Sequence, residues 1–147
     1  MTTMKRCIIT ILLSVLLVSC LAGCTIANPS LLNEKVVAMI DYTVQQDTEN
    51  GYAMLYPGVS DADTYRSTVK QIYEYFPVTA GYTWELQQWH ITQGINNSAS
   101  VYEGQYKVEF DGKLFYVIAI WRSDSDGEGF TRFQVASEED WNVANSK

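Results

Sequence analysis

Cysteine is scarce in this 147-residue chain, and its three cysteines all lie within the first 24 residues. The segment after Cys24 has none, which excludes a disulfide and a thiolate metal site from that segment. It has one histidine, His90, and no zinc-helix motif surrounds it. We therefore expect no metal and no cofactor, and a fold that is stabilised by burial of apolar side chains.

Positive charge is scarce too, since 10 lysines and arginines face 17 acidic residues and the net charge is −7 at pH 7. Nucleic-acid binding relies on basic side chains that neutralise phosphates, so we expect no nucleic-acid partner. A long hydrophobic run is also missing. The longest, from Cys7 to Leu21, has 15 residues, whereas a transmembrane helix needs about 20.

The N-terminus does contain an export signal. Lys5 and Arg6 precede the apolar run, which ends in small residues. The four residues at its end, Leu21-Ala22-Gly23-Cys24, resemble the lipobox of bacterial lipoproteins. The resemblance implies that residues 1–23 are a signal peptide and that Cys24 is lipidated on its thiol, with acyl chains such as palmitate.

The lipoprotein resemblance also predicts a location. Cys24 would become the mature N-terminus in the bacterial cell envelope, and its lipid would hold the domain on a membrane, facing outside the cytoplasm. Loss of Lys5 and Arg6 with the signal changes the net charge from −7 to −9. Such an acidic chain has no polybasic patch for anionic lipid, so the lipid would be the anchor. Residues 24–30 form only a short tether, and residues 31–137 are predicted to be a single domain, followed by a C-terminal tail over 138–147.

The first half of the domain has the pattern of helices. An apolar stripe at helical spacing follows Ser30, which is a candidate N-cap. A polar stretch that includes Asp47 and Glu49 interrupts the stripe, and Pro57-Gly58 predicts a turn. A second helix is expected after Ser60, in a capping box with Asp63. The predicted stripes comprise Leu32, Val36, Met39, Ile40, Thr43 and Val44, then Tyr65, Val69, Ile72, Tyr73 and Phe76.

The second half has the pattern of strands, over residues 82–94, 99–110, 113–123 and 129–136. Asp111-Gly112 between two of these runs predicts a two-residue hairpin. Parity places His90 on the same face as Trp84, and the run from 113 is apolar on both faces, which predicts a central strand covered on both sides. Helices followed by an antiparallel meander indicate an α+β fold.

This order of elements resembles the nuclear transport factor 2-like superfamily, which includes ketosteroid-isomerase-like proteins, and the cystatin-like arrangement is its near neighbour. The resemblance lies in residues 36–47 and 51–57, which are similar to that superfamily's first helix, acidic break and short aromatic turn. It implies N-terminal helices packed on a curved antiparallel meander sheet of about four strands, with a cone-shaped cavity between them. The fold would not decide the function, because this superfamily includes enzymes, binders and assembly modules.

Two residues are weak catalytic candidates. His90 has a side chain suited to general acid–base chemistry, and the ordinary alternative is a half-buried sheet histidine. Asp47 would act as a base if desolvation raised its pKa, and the ordinary alternative is a residue that caps or solvates the helix interruption. Asp124-Ser125-Asp126-Gly127 resembles part of a calcium loop, but an acidic hairpin turn explains the same residues.

Aromatic residues are abundant, with ten tyrosines, four tryptophans and five phenylalanines. They would either line a pocket for an apolar or aromatic ligand, form a face that docks an envelope protein, or simply fill the core. The weak ligand-binding candidates are Tyr52, Tyr56, Tyr73, Trp84, Tyr102 and Tyr106. Three functions remain open at this point: a membrane-anchored binding domain without catalysis, a ketosteroid-isomerase-like enzyme that uses His90 or a cavity carboxylate, and a homodimeric assembly module that pairs sheet to sheet.

Overall fold

The computed structural model describes residues 28–73, 81–94 and 98–146. These residues form an α+β fold with four helices and a four-stranded antiparallel sheet, as the sequence predicts. None of the helices described is long and apolar enough to cross a membrane. The elements are α1 (Ser30–Val44), α2 (Thr48–Ala53), α3 (Ala62–Tyr73), β1 (Tyr82–Gln93), β2 (Ser100–Phe110), β3 (Lys113–Asp124), β4 (Gly127–Ser137) and α4 (Glu138–Asn145).

The sheet is an open meander in the order β1-β2-β3-β4. The predicted hairpin at Asp111-Gly112 is confirmed. Both residues have positive φ, 46° and 75°, as a two-residue type I′ turn requires. Gly127 and Gly129, in the next hairpin, also have positive φ.

The core lies between one face of the sheet and helices α1 and α3. The predicted stripe of α1 is buried at Leu32, Val36, Met39, Ile40 and Thr43, and α3 buries Tyr65 and Val69. The sheet contributes a matching row of buried side chains, because alternate residues of a strand point to the same face. This row comprises Tyr106, Val108, Phe110, Phe115, Val117, Ala119, Trp121 and Phe130.

Two predicted helix caps are each wrong by one residue. Ser30 is inside α1, and its backbone N–H donates to the side-chain oxygen of Asn28, since Pro29 already has helical φ and ψ. At α3 the cap is Asp61 and not Ser60. Its carboxylate accepts hydrogen bonds from the backbone N–H groups of Asp63 and Thr64. A carboxylate at this position also interacts favourably with the helix dipole.

A β-bulge in β1 changes the faces that parity predicts. Leu86 pairs with Tyr106 and Gln88 pairs with Gln105, so Gln87 is inserted. Beyond an inserted residue, the alternation of side chains is reversed. The side chain of His90 therefore projects from the other face of the sheet from Trp84, whereas parity predicts that both project from the same face. We call the face that carries the buried row the helix face, and the other, which carries Glu85, His90, Ile118 and Ile120, the open face.

A backbone bridge ties the segment after α2 to β4. The N–H of Phe130 donates to Met54 O at 2.8 Å, and the N–H of Tyr56 donates to Phe130 O at 3.0 Å. Gly129 has φ of 157°, and a Cβ there would lie 2.4 Å from the backbone nitrogen of Tyr56. Glycine is thus required by both the backbone conformation and the close approach of the two segments.

Residues 138–145, for which the sequence predicts a C-terminal tail, form helix α4. Ser137 caps it, because its hydroxyl accepts a hydrogen bond from the N–H of Asp140. Trp141 stacks on Tyr116 of β3, with ring centroids 4.6 Å apart. This contact covers one end of the open face. Ile118 and Ile120 further along β3 are half-buried, so the strand is fully covered on the helix face only.

Candidate functional site

A crevice lies between α3 and β4, on the helix face. Its outer part has a volume of about 300 Å³. Gln71 and Ile72 project from α3, Phe133 and Val135 from β4, and Asp140 of α4 lies at the rim. The walls are apolar and the rim carries amides and a carboxylate, which is the usual composition of a small-molecule site.

A second part of about 170 Å³ adjoins it and is also open to solvent; we call it the inner part, because Met39 and Thr43 of α1 contribute to its wall. Thr68, Ile72 and Phe133 line both parts. The inner walls include Leu55 and Phe130, which the backbone bridge holds against each other. We call the two parts together the helix–sheet crevice.

Tyr65 is a buried tyrosine in the wall of the inner part. Its hydroxyl lies 3.9 Å from the sulfur of Met39, and burial raises the pKa of Tyr65 to about 12. The phenol therefore stays neutral at physiological pH. No carboxylate lines this inner part, and its one charged lining residue, Arg132, is exposed and donates a hydrogen bond to Gln134. The remaining walls are mostly apolar, so the crevice suits an apolar or aromatic molecule.

A tyrosine–carboxylate–arginine cluster lies beside the β3–β4 hairpin. The hydroxyl of Tyr56 donates to Asp124 at 2.8 Å, and Arg122 donates to the other carboxylate oxygen. These hydrogen bonds, that from Tyr56 first, lower the pKa of Asp124, and the same contact raises the pKa of Tyr56. The carboxylate is thus fixed as an anion by neighbours of its own chain, which accounts for the acidic turn without a calcium ion.

His90 lies exposed on the open face, opposite Glu103 in the register of β1 and β2. It lines a second groove of about 300 Å³, together with Ile118, Ile120 and Arg132. A general base works best where water is excluded. This groove is open to solvent and lies on the far side of the sheet from the helix–sheet crevice.

Asp47 is the N-cap of α2. Its carboxylate accepts hydrogen bonds from the side chain of Asn50 at 2.6 Å and from its backbone N–H at 3.1 Å. The side-chain hydrogen bond, then the backbone one, lowers the pKa of Asp47. A catalytic carboxylate base needs the opposite shift, so the geometry supports the capping interpretation.

The six aromatic candidates are not brought together. Tyr52 donates to the carbonyl of Ser60 near α3, whereas Tyr106 is fully buried under α1 and donates to the side chain of Asn33 at 2.9 Å. Trp84 is 40% exposed near the edge of the sheet. Within the part of the chain that the structure describes, Tyr52, Tyr56, Tyr73, Trp84, Tyr102 and Tyr106 line neither the helix–sheet crevice nor the open-face groove.

Cys24, the candidate lipidation residue, and Asn96-Asn97, a glycosylation-like sequence with Ser98, lie outside the described residues. Over residues 28–73, 81–94 and 98–146, no cluster of three or more histidine, cysteine, aspartate or glutamate side chains is arranged to hold a metal ion. The expected absence of a metal remains an expectation.

Comparison with known proteins gives no relative. No family model, curated protein or solved structure matches this chain. The functional argument therefore rests on the chain's own residues.

Sequence reasoning missed the residues that line both parts of the crevice, Thr68, Ile72 and Phe133. Ile72 belongs to a predicted helical stripe, and Phe133 alternates with Val135 along β4. The pattern predicts that these residues face the core, but not that a space is left between them. Only the spacing of α3 from the sheet creates the crevice, and periodicity carries no information on that distance.

Proposed function

We propose that this chain is a membrane-anchored binding domain of the bacterial cell envelope, which holds a small apolar or aromatic molecule in the helix–sheet crevice. The observation that carries the proposal is the crevice itself. It combines apolar walls, a polar rim and two adjoining parts that share Thr68, Ile72 and Phe133. No catalytic step is proposed, because His90 and Asp47 lie outside it.

The size of the crevice sets the affinity range. A single aromatic ring that buries about 200 Å² of apolar surface gains about 5 kcal/mol. This free energy corresponds to a dissociation constant of about 0.2 mM, before the cost of immobilising the ligand is counted. We therefore expect millimolar to submillimolar binding of a one-ring probe. The natural ligand would gain affinity from further contacts with the rim.

The anchor is the lipid that we assign to Cys24, on the basis of the Leu21-Ala22-Gly23-Cys24 sequence and the basic residues before the apolar run. One acyl chain binds a membrane only marginally, so stable attachment requires more than one. The anchor would keep the domain outside the cytoplasm, close to the membrane surface from which apolar molecules partition.

We further propose that the fold is a nuclear transport factor 2-like cone. The order of α1, α2, α3 and a four-stranded meander supports this, as does a core formed by α1 and α3 against one face of the sheet. The crevice between α3 and β4 occupies the position that a cone cavity would have, between helices and sheet.

A blocking variant tests the binding site. Thr68 lines both parts of the crevice, and Thr68→Trp fills the space between them. Ser67, the preceding residue on α3, is exposed and lines neither part, so Ser67→Trp is the matched control. The full chain is reconstituted in nanodiscs and titrated with 4-fluorophenol by ¹⁹F NMR, with empty nanodiscs subtracted.

We expect saturable binding by the wild-type chain and by Ser67→Trp, and at least a tenfold weaker affinity for Thr68→Trp. Equal affinity in all three would place the probe elsewhere. No saturation of the wild-type chain at several millimolar probe would argue against an apolar binding site altogether.

A further inference from the structure

β1 is a long edge strand with an exposed outer edge. It spans 12 residues, pairs with β2 on one side, and no described residue pairs with its other side. An unpaired edge presents backbone N–H and C=O groups to another strand. Natural edges are often protected by proline or lysine, and β1 has neither.

The bulge at Gln87 gives β1 two copies of a three-residue pattern. Trp84-Glu85-Leu86 precedes it, and Trp89-His90-Ile91 follows it. The register with β2 places the tryptophan and the aliphatic residue of both copies on the helix face, and Glu85 and His90 on the open face. Trp89 also borders the open-face groove. Both tryptophans are unusually exposed, at 40% and 41%.

We propose that β1 pairs antiparallel with β1 of a second copy of this chain about a two-fold axis, which joins two four-stranded sheets into one. In the proposed register Glu85 lies opposite His90 of the second copy. Trp84 then lies opposite the second copy's Ile91, and Leu86 opposite its Trp89. The interface is isologous, so each contact occurs twice.

The bulge makes this register consistent with the faces of both strands. In this register, residues before the bulge of one copy lie opposite residues after the bulge of the other copy. Because the insertion reverses the alternation of side chains, opposite residues then project from the same face of the sheet. A shift by one residue would place every tryptophan opposite an open-face side chain. Shifts by two residues keep the faces, but they place Glu85 opposite Gln88 or Thr92. Only the proposed register places Glu85 opposite His90, whose ring N–H can donate a hydrogen bond to the carboxylate.

The pairing explains a feature that the crevice does not. Trp84 and Trp89 lie on the helix face near the outer edge of the sheet, where the helices leave them partly exposed. Across a directly paired strand, side chains of opposite residues lie about 5 Å apart. A second copy would therefore cover each tryptophan with an aliphatic side chain, and the inference is independent of whether the crevice binds a ligand.

Cysteine cross-linking tests the register in the full chain. Glu85→Cys and His90→Cys chains carry different epitope tags and are expressed together, and membranes are oxidised mildly. Directly opposite residues of an antiparallel pair are within disulfide range. We expect a disulfide between the two different variants. Two copies of the same variant should not form a disulfide through the new cysteine, because the same position in the two copies is offset by about 15 Å along the strands.

The wild-type chain, which has the same native cysteines, gives the background. A link of Glu85→Cys with itself would overturn the register. The absence of any link above background, with both chains present in the membrane, would overturn the pairing.

Charge reversal provides a second test by co-purification of the two tags in mild detergent. We expect Glu85→Lys to reduce co-purification at least tenfold. Glu109→Lys, an equal charge change on the open face of β2, should leave it unchanged. An equal loss in both lysine variants, or no loss in either, would contradict the proposal.

Discussion

Gly129 offers the sharpest test of how α2 is held against the sheet. Its φ is 157°, and a Cβ would lie 2.4 Å from Tyr56 N and 2.5 Å from Leu55 C. Both neighbours are backbone atoms, so neither can rotate away as a side chain would. Gly129→Ala must therefore strain its own backbone and push the two segments apart.

The expected cost is the sum of two effects. A non-glycine residue in a sparsely populated backbone region costs about 1–3 kcal/mol. Separation of the segments also weakens the two hydrogen bonds between Phe130 and residues Met54 and Tyr56, each of which contributes about 0.5–1.5 kcal/mol. Together we expect a loss of about 2–6 kcal/mol in the free energy of unfolding.

Two other glycines separate these effects. Gly58 has φ of 81° but no atom within 4 Å of the point where a Cβ would lie, so Gly58→Ala adds backbone strain without overlap. That strain costs about 1–2 kcal/mol. Gly81 has open space and no positive φ, and Gly81→Ala should stay within about 0.5 kcal/mol of the wild-type chain.

Urea unfolding followed by circular dichroism measures the series. At a slope of about 2 kcal/mol/M, Gly129→Ala should lower the midpoint by about 1–3 M. Gly58→Ala should lower it by about 0.5–1 M. Equal midpoints for the Gly129 and Gly58 variants would refute the close approach of Leu55–Tyr56 to β4.

Three further predictions concern the rest of the domain. The pKa of Asp47 is lower in the folded state than in the unfolded state, so its negative charge stabilises the fold. This contribution is complete above the unfolded-state pKa of about 4 and is lost as the pH falls through the lower folded-state pKa. Asp47→Asn keeps a good N-cap without the titrating charge. The urea midpoint of this variant should therefore decrease less between pH 6 and pH 3 than that of the wild-type chain, and an equal decrease would contradict the capping role. Tyr106→Phe should lower the free energy of unfolding by about 0.5–1.5 kcal/mol, and Asn33→Ala, which leaves the buried hydroxyl of Tyr106 unpaired, by about 1–3 kcal/mol. Thermal unfolding measures both variants, and the reverse order would indicate that Tyr106 has another partner. Cys24→Ala should move the protein from membrane to soluble fractions, and a processed variant that remains in the membrane would refute the lipid anchor.

The sequence predicts local features of this fold well where one residue type decides the geometry. Asp111-Gly112 adopts the hairpin turn because few other pairs tolerate two positive φ values. The helix caps were less predictable, since Ser60 and Asp61 are both good caps and only the start of α3 selects between them. The short α4 was missed because its residues are mostly polar, and its position depends on the contact of Trp141 with Tyr116.

The candidate site was much less predictable. The bulge at Gln87 moves His90 to the open face. It is marked in the sequence only by the switch of apolar residues from even positions, such as Trp84 and Leu86, to odd ones, Trp89 and Ile91, and a single parity over the whole run overlooks it. Tyrosine and tryptophan indicated a pocket, but the crevice is lined by Ile72, Phe133 and their neighbours, which come from three distant parts of the chain. Their distances depend on tertiary packing and not on spacing in the sequence.

The central claim, an apolar binding site between α3 and β4, is tested most directly by the position of a bound molecule. Isotope-filtered nuclear Overhauser measurements on the methyl-labelled full chain in nanodiscs, saturated with 4-fluorophenol, report which methyl groups lie within about 5 Å of it. We predict contacts to the methyl groups of Ile72 and Val135, in the crevice. Contacts to Ile118 and Ile120 on the open face, without those to Ile72, would contradict the account.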